Sequence, residues 1–174
     1  LERQLAHTNP EIPRAALQKA LNYLDTHDVR NRRFLTIIDM DRPNSERRMH
    51  IIDLRTGKVE NYLAAHGKGS GALYAKNFSD RTNSHQTSLG IYVTGDEYQG
   101  GKGRALQLEG MEATNRSAAG RAIVLHGASY GSDSFLRANG RIGASWGCPA
   151  VDFKYRALII DEIGNGSVML IYRD

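Results

Sequence analysis

Residues 143–151, "GASWGCPAV", contain Cys148, the only cysteine among the 174 residues of the chain. Gly147 before it lets the backbone approach another group closely, and Pro149 after it has no N–H group. Because a cysteine is a good nucleophile only as a thiolate, a catalytic cysteine needs a base or a positive charge within hydrogen-bond reach. Cys148 is therefore either a reactive thiol beside such a group or a small buried apolar residue.

His126 is the best candidate for that base among the six histidines. It ends the apolar segment "AIVLHG" (residues 122–127), and catalytic groups are often displayed where a rigid strand meets a loop. It precedes Cys148 by 22 positions, enough for a loop and a short helix to bring the imidazole back to the thiol. The spacing alone leaves open whether His126 is this base or a structural histidine at a strand end.

A thiolate that attacks a carbonyl group creates an oxyanion, which needs N–H donors that are already in position. Pro149 has no such donor, so the donors must come from Cys148, Gly147 or the residue before, or from a separate loop. The order histidine before cysteine is opposite to that of papain-like peptidases. Sortases have the order His, Cys, Arg, with Arg156 as the candidate arginine here, but a wider spacing, and they remain a weak alternative.

The remaining pattern predicts one mainly β domain that also contains helices. Strands are predicted at residues 33–40, 48–54, 58–65, 89–95, 104–110, 122–127 and 167–172. Helices are predicted after Pro13, from Ser132 to about Ala138, and from Asp152 to Ile163. Residues 1–32 are interpreted as a polar lead-in and an amphipathic helix, and residues 33–174 as the catalytic domain. We expect a β-sandwich or an open barrel of mostly antiparallel strands with two or three helices.

Composition and charge exclude several classes of function. The net charge is +4, with short clusters of arginines at residues 30–33 and 42–48. These clusters lack interleaved aromatic residues and any nucleic-acid module, so we expect no nucleic-acid partner. No apolar run is long enough to span a membrane. Neither HExxH nor CxxC spacing occurs, and "HGKGSG" (residues 66–71) does not match a phosphate-binding loop, so we expect no metal and no cofactor. We expect a monomer.

Three motifs together resemble those of the murein L,D-transpeptidase catalytic domains, in the YkuD-related superfamily. They are "VLHG" (residues 124–127), "SWGCPAV" (residues 145–151), which is typical of one bacterial branch, and "SHQTSLGIYVTG" (residues 84–95). The likeness covers residues 33–174. It implies an L,D-transpeptidase-like fold, cysteine acyl transfer on the L,D-peptide bonds of peptidoglycan stem peptides, and a periplasmic or exported location. The chain begins at Leu1, so we expect that any export signal has already been removed.

The resemblance also implies roles for individual residues. The implied roles are Cys148 as nucleophile, His126 as base, the Gly127 carbonyl as the group that orients the imidazole, Gly147 and Cys148 as oxyanion donors, Ser145 as the residue that shapes the turn, and Tyr92 as a wall of the substrate groove. Carbapenems are expected to acylate the cysteine.

The sequence departs from the superfamily pattern in ways that bear on substrate binding. Trp146 replaces a histidine or arginine and either stacks against substrate or fills the core or wall. Ser88 replaces a proline, which we expect to hold Tyr92 less firmly. His66 and His85, in or beside the long loop rich in Gly, Ser and Asn at residues 66–88, are candidate substrate ligands. Arg141 is either a partner for a stem carboxylate or a solvated arginine.

Three questions stay open at this level. The thioester is resolved either by an acceptor amine, which gives transfer, or by water, which gives hydrolysis. His126 either withdraws the thiol proton during attack or stands as imidazolium beside a preformed thiolate. A non-catalytic wall-binding module is the alternative from a different class of protein.

Overall fold

The structure, a computed structural model that describes residues 1–174, contains eight strands and four helices. The strands are β1 (Phe34–Asp39), β2 (Met49–Asp53), β3 (Val59–Tyr62), β4 (Gly90–Gly100), β5 (Gly103–Gly110), β6 (Val124–Gly127), β7 (Ala150–Val151) and β8 (Val168–Tyr172). The helices are α1 (Glu2–Thr8), α2 (Arg14–Thr26), α3 (Asp133–Asn139) and α4 (Phe153–Ile163).

All eight strands belong to one sheet with the order β3-β2-β1-β8-β4-β5-β6-β7. Neighbouring strands are antiparallel except for the parallel pairs β1–β8 and β6–β7. The two ends of the sheet meet where Ala65, just after β3, forms a bridge with Ala150 in β7. The sheet is therefore a nearly closed barrel, and the bridge covers strand edges that would otherwise be free to pair with another chain.

The seven predicted strands and three predicted helices are confirmed, with boundaries shifted by a few residues. The Ser132 hydroxyl caps α3 by accepting the Phe135 N–H at 3.1 Å, as the sequence predicted. The structure adds an eighth strand, β7, and a fourth helix, α1, which lies within the expected polar lead-in. Leu5 is its only buried side chain, so α1 has almost no apolar periodicity to reveal it.

Strand β1 is buried on both faces of the sheet, and all six of its residues are buried. Phe34 and Ile38 point into the barrel core, whereas Leu35 and Ile37 pack in a second core with residues of α2 such as Leu17. This arrangement follows from the alternation of side chains along a strand. The N-terminal helices thus cover the outer face of the barrel and share an apolar core with it.

Buried Arg48, the residue before β2, braces the chain beside the cysteine turn. Its guanidinium donates to the carbonyl oxygens of Ala64 (2.8 and 3.1 Å) and Arg42 (3.0 Å), and to Nδ1 of His66 (2.7 Å). Because Nδ1 of His66 must accept this bond, its proton lies on Nε2, which donates to the Gly71 carbonyl at 2.9 Å. Arg48 and His66 therefore hold residues 64–71 from inside.

That braced segment is joined to the cysteine turn by backbone hydrogen bonds. The Ser145 N–H donates to the His66 carbonyl at 3.0 Å, and the Lys68 N–H donates to the Ser145 carbonyl at 2.7 Å. The Ala65 N–H donates to the Ala150 carbonyl at 2.8 Å. The turn that contains the thiol is thus fixed on both sides by residues 65–68.

Most of the clustered arginines are neutralised within the fold. Arg33 pairs with Asp53 at 2.8 Å, Arg42 with Glu46 at 3.0 Å, and Arg47 with Asp133 at 2.8 Å. With the Arg32–Asp25 pair at 3.8 Å, four of the six clustered arginines have an acidic partner. Of the four helices, none combines the length and the apolar character that a membrane-spanning helix requires.

Replacing Leu17 by alanine tests whether the N-terminal helices and the barrel unfold together. Because Leu17 is fully buried between the helices and the barrel, we expect Leu17→Ala to lower the free energy of unfolding by about 2–5 kcal/mol in one transition. Denaturant unfolding followed by circular dichroism measures this change. The exposed Gln18→Ala is the control and should change the value by less than about 0.5 kcal/mol. Two separate transitions would mean that residues 1–32 form an independent unit.

The Arg48–His66 contact predicts that stability falls in mild acid. Burial and the charge of Arg48 lower the pKa of His66 to about 4, against 6.5 for the free side chain. Above pH 6.5 neither state binds the proton, but between pH 6.5 and 4 the unfolded chain binds it and the folded chain does not. This histidine therefore lowers the free energy of unfolding by up to about 3 kcal/mol as the pH falls to 4.

Unfolding measured from pH 7 to pH 4 checks this contribution. His66→Asn keeps an acceptor for Arg48 but removes the titrating ring, so its stability should depend less steeply on pH than that of the parent. His7→Asn, on the exposed face of α1, is the matched control. Equal slopes for His66→Asn and the parent would contradict the assignment.

Candidate active site

A cleft of about 540 Å³ lies between the turn that joins β4 to β5 and the turn that contains Cys148. Both Cys148 and His126 line it. His126 is brought there by β6, where it pairs with Ala105 on one side and Ala150 on the other. The tertiary structure thus brings together two residues that are 22 positions apart in the sequence.

The thiol of Cys148 is partly buried and uncharged. The Val124 N–H donates to Sγ at 3.4 Å, and the thiol donates to the Ala122 carbonyl at 3.8 Å. Burial raises the pKa of the thiol, and the Val124 N–H and the charges of Lys102 and Arg121 only partly oppose this effect. At neutral pH the group is therefore a thiol, and no hydrogen bond joins it to His126 in this state.

The orientation of His126 leaves one ring nitrogen free to accept a proton. Nδ1 lies 2.9 Å from the Gly127 carbonyl oxygen, which can only accept, so Nδ1 carries the proton and Nε2 does not. Burial lowers the pKa of His126, and the charge of Lys102 lowers it further. The imidazole is thus neutral near pH 7, as a general base must be.

The corner at Gly147 and Cys148 is held by Ser145. The Ser145 hydroxyl donates to the Cys148 carbonyl at 2.6 Å and accepts the Gly147 N–H at 3.1 Å. Gly147 has φ +120°, and a Cβ there would lie 2.8 Å from the Gln86 carbonyl oxygen, so both conformation and space require glycine. This corner presents the thiol to the cleft at a fixed position.

One expectation for the oxyanion donors needs correction. The N–H group of Gly147 is already bonded to Ser145, because the hydroxyl lies inside the tight turn. The N–H group of Cys148 makes no hydrogen bond within the protein. At this glycine-cysteine corner, the amide of Cys148 is therefore the one available to a developing oxyanion.

Trp146 is a rim residue of the cleft and not part of the core, with 71% of its surface exposed. Its ring stacks in parallel on that of His85, with the centroids 4.5 Å apart and the planes at 4°. His85 has φ +55°, an uncommon conformation for a residue with a side chain. The long loop was expected to reach the site, and it does so through the contact of His85 with Trp146.

Arg121 holds the part of the long loop that carries His85. Its guanidinium donates to the Ser79 carbonyl (3.1 Å), the Ser84 hydroxyl (3.2 Å) and the Gln86 carbonyl (2.8 Å). Nothing in the local sequence distinguishes Arg121 from a surface arginine. Its role depends on contacts with residues about 40 positions away, which no local pattern reveals.

Three residues predicted to bind substrate lie elsewhere. Tyr92 is fully buried in the barrel core, where the alternation of β4 turns it inward, and its hydroxyl donates to the Ser88 carbonyl at 2.8 Å. Ser88 therefore anchors Tyr92, contrary to expectation. His66 is buried in its contact with Arg48. Arg141 is exposed, does not line the cleft and makes no side-chain hydrogen bond.

Lys102 and Tyr130 line the cleft and were missed by the sequence analysis. Lys102 occupies the glycine-rich turn at residues 100–103, between β4 and β5, and Tyr130 follows His126 by four positions; neither has a local pattern that marks it as a binding residue. The structure contains no group of three or more His, Cys, Asp or Glu side chains arranged to bind a metal ion. A neutral thiol, a neutral imidazole and a free amide N–H are the components of acyl transfer through a cysteine.

Comparison with known proteins identifies the family. A family model described as the L,D-transpeptidase catalytic domain matches residues 6–172. None of the curated proteins compared with the chain matches it.

Solved structures with a similar fold include an L,D-transpeptidase from Mycobacterium smegmatis, with 13% identity, a TM-score of 0.50 and coverage of 81% of this chain and 59% of that one. An L,D-transpeptidase from Mycobacterium tuberculosis H37Rv has 11% identity, a TM-score of 0.53 and coverage of 81% and 58%. L,D-transpeptidase 3 from Mycobacterium tuberculosis has 9% identity, a TM-score of 0.52 and coverage of 81% and 61%.

The chain thus spans about three-fifths of the length of these structures. At such low identity their likeness establishes the fold, and the match of the family model over residues 6–172 establishes the family. This protein belongs to the L,D-transpeptidase catalytic domain family.

Proposed function

We propose that this protein is a cysteine acyl-transfer enzyme that acts on L,D-peptide bonds of peptidoglycan stem peptides in the bacterial cell envelope. One observation carries the proposal: the only thiol and a neutral imidazole line the same cleft, beside an amide N–H without a partner. Membership of the family supports the substrate class. The three groups supply the nucleophile, the base and the oxyanion donor that such a reaction needs.

The first half-reaction forms a thioester. Nε2 of His126 takes the proton of the Cys148 thiol while Sγ attacks the carbonyl carbon of the L-centre, and the Cys148 N–H stabilises the resulting oxyanion. When the tetrahedral intermediate collapses, the C–N bond breaks and the imidazolium returns the proton to the departing amine of the D-residue. The acyl group is then bound to sulfur, and the imidazole is neutral again.

The second half-reaction releases the acyl group. An acceptor amine or a water molecule gives a proton to Nε2 and attacks the thioester, and the C–S bond breaks. The thiolate recovers the proton from the imidazolium. An amine gives a new peptide bond, which is transfer, whereas water gives a carboxylic acid, which is hydrolysis of the same L,D-bond.

The protonation states favour proton removal during attack over a preformed ion pair. The thiol has a raised pKa and the imidazole a lowered one, both chiefly because of burial. Each shift disfavours the charged form of its own group. A thiolate–imidazolium pair would thus be the less stable arrangement before substrate binds, which supports the general-base role of His126.

Removing the thiol tests the proposal directly. We expect Cys148→Ala to lower turnover of purified muropeptides by at least about a thousandfold, because the chain has no other thiol to act as the nucleophile. Product analysis by liquid chromatography and mass spectrometry measures this loss, and thermal unfolding checks that the fold is intact. Turnover or a cellular phenotype that survives the substitution unchanged would favour the non-catalytic wall-binding module.

The products distinguish the two fates of the thioester. A cross-linked or D-amino-acid-exchanged muropeptide supports transfer, whereas trimmed stems alone support hydrolysis.

Incubation with a carbapenem should add its mass once to the intact protein and not to Cys148→Ala. Absence of this adduct in a well-folded sample would count against an activated thiol.

The pKa shifts also predict the pH dependence of the site. Because the pKa of the thiol is raised, alkylation by iodoacetamide should be slow at neutral pH and rise only above the ordinary cysteine range. Because the pKa of His126 is lowered, the acid limb of kcat/KM should lie below pH 6.5. Rapid alkylation with a plateau below neutral pH would instead reveal a preformed ion pair.

A further inference from the structure

The cleft has an unbalanced charge that the catalytic groups do not explain. Two cationic residues, Lys102 and Arg121, contribute to its lining, and no aspartate or glutamate does. The two cations differ in what they already bind. Arg121 is almost completely buried, bonds three oxygen atoms of residues 79–86 and pairs with Asp80 at 3.7 Å. The guanidinium of Arg121 is therefore already occupied by residues 79–86. Lys102 is the cation that remains available to bind a ligand.

Lys102 is held over the cleft although its ammonium group has no acidic partner. Its backbone carbonyl accepts a hydrogen bond from Nη1 of Arg156 in α4 at 3.1 Å, which anchors the turn between β4 and β5. Its Nζ lies 6.0 Å from the centroid of the Tyr130 ring. The exposed ammonium group is thus placed beside the thiol and imidazole without being neutralised by the protein.

The hydroxyl of Tyr130 is the second group without a partner. It is buried and makes no hydrogen bond within the protein. A buried polar group without a partner is costly unless a ligand or a water molecule supplies the missing hydrogen bond. The ring is wedged against Gly143, where a Cβ would lie only 2.5 Å from Cβ of Tyr130, and the Gly143 N–H donates to the Tyr130 carbonyl at 2.8 Å. The position of the phenol is therefore defined before any ligand binds.

The phenol of Tyr130 acts as a hydrogen-bond donor throughout the working pH range. Burial and the negative charge that Cys148 acquires as a thiolate raise the pKa of Tyr130 to about 12, so the hydroxyl keeps its proton. A neutral donor and a nearby cation are both suited to an anionic oxygen. Of the anionic groups in a stem peptide, the carboxylates are the ones that can satisfy both.

We propose that the Lys102 ammonium and the Tyr130 hydroxyl form a carboxylate-binding subsite that positions the substrate beside Cys148. This inference rests on the proposed function, because it assumes a peptide substrate in the same cleft. One carboxylate oxygen accepts the hydrogen bond of the phenol, and the ammonium group neutralises the charge. The subsite explains in one step why a buried hydroxyl has no partner and why the cleft is cationic.

A stem peptide offers two carboxylates of the same chemistry. One is the terminal carboxylate of the D-residue that leaves, next to the scissile bond, and the other belongs to the side chain of a diaminopimelate at the L-centre. Three synthetic peptides separate these sources. The first has both carboxylates, the second has a terminal carboxamide, and the third has lysine in place of diaminopimelate.

Steady-state kinetics of Tyr130→Phe and Lys102→Met with the three peptides test the subsite. For the peptide with both carboxylates, each variant should raise KM about tenfold, as expected for loss of one hydrogen bond or ion contact to a charged group. For the peptide that lacks the recognised carboxylate, the variants and the parent should have equal KM values. Tyr74→Phe and Lys76→Met, which are exposed outside the cleft, are the matched controls.

Several outcomes would overturn the subsite. It is wrong if KM is unchanged for every peptide, or if KM rises equally for all three, because a uniform rise means a general distortion of the cleft. Calorimetric binding of the same peptides to Cys148→Ala, with and without Tyr130→Phe, keeps this test separate from turnover. Carboxylate-dependent loss of affinity there supports the subsite even if no peptide is turned over, whereas absence of turnover contradicts only the proposed function.

Discussion

The backbone hydrogen bonds between residues 65–68 and the cysteine turn are the constraint on which the site depends. They join the two ends of the sheet at Ala65 and Ala150, and they hold Ser145 from both sides. Behind them, the buried guanidinium of Arg48 fixes His66 in one tautomer. The segment that follows β3 therefore both closes the barrel and holds the turn that carries the thiol.

Burial, more than any single charge, sets the chemistry of the cleft. It keeps the Cys148 thiol protonated and the His126 imidazole neutral, so the pair is uncharged before a substrate arrives. In the proposed reaction, charge appears only when the proton moves from the thiol to the imidazole, next to the free amide of Cys148. An uncharged resting pair has little tendency to react with solutes outside the cleft, which suits the proposed reaction with a bound acyl donor.

The rim of the cleft is assembled from segments that are distant in the sequence. Arg121 fixes residues 79–86, this loop supports His85, and His85 stacks on Trp146. Arg156 in α4 anchors the turn that carries Lys102. The cleft therefore has a rigid floor, formed by β6 and the cysteine turn, and walls whose polar groups are supplied by loops, an arrangement common to many binding sites.

The sequence by itself determined seven of the eight strands and three helices, because side-chain periodicity and helix caps are local properties, and it singled out Cys148 and His126 as residues of interest. Only the tertiary structure decided the closure of the barrel, the presence of α1, and which side chains face the cleft. Tyr92 and His66 had the right chemistry but point into buried cores, whereas Lys102, Arg121 and Tyr130 reach the cleft through contacts with distant segments. Such contacts depend on how the sheet and the loops pack together, and this packing cannot be predicted from a local sequence pattern.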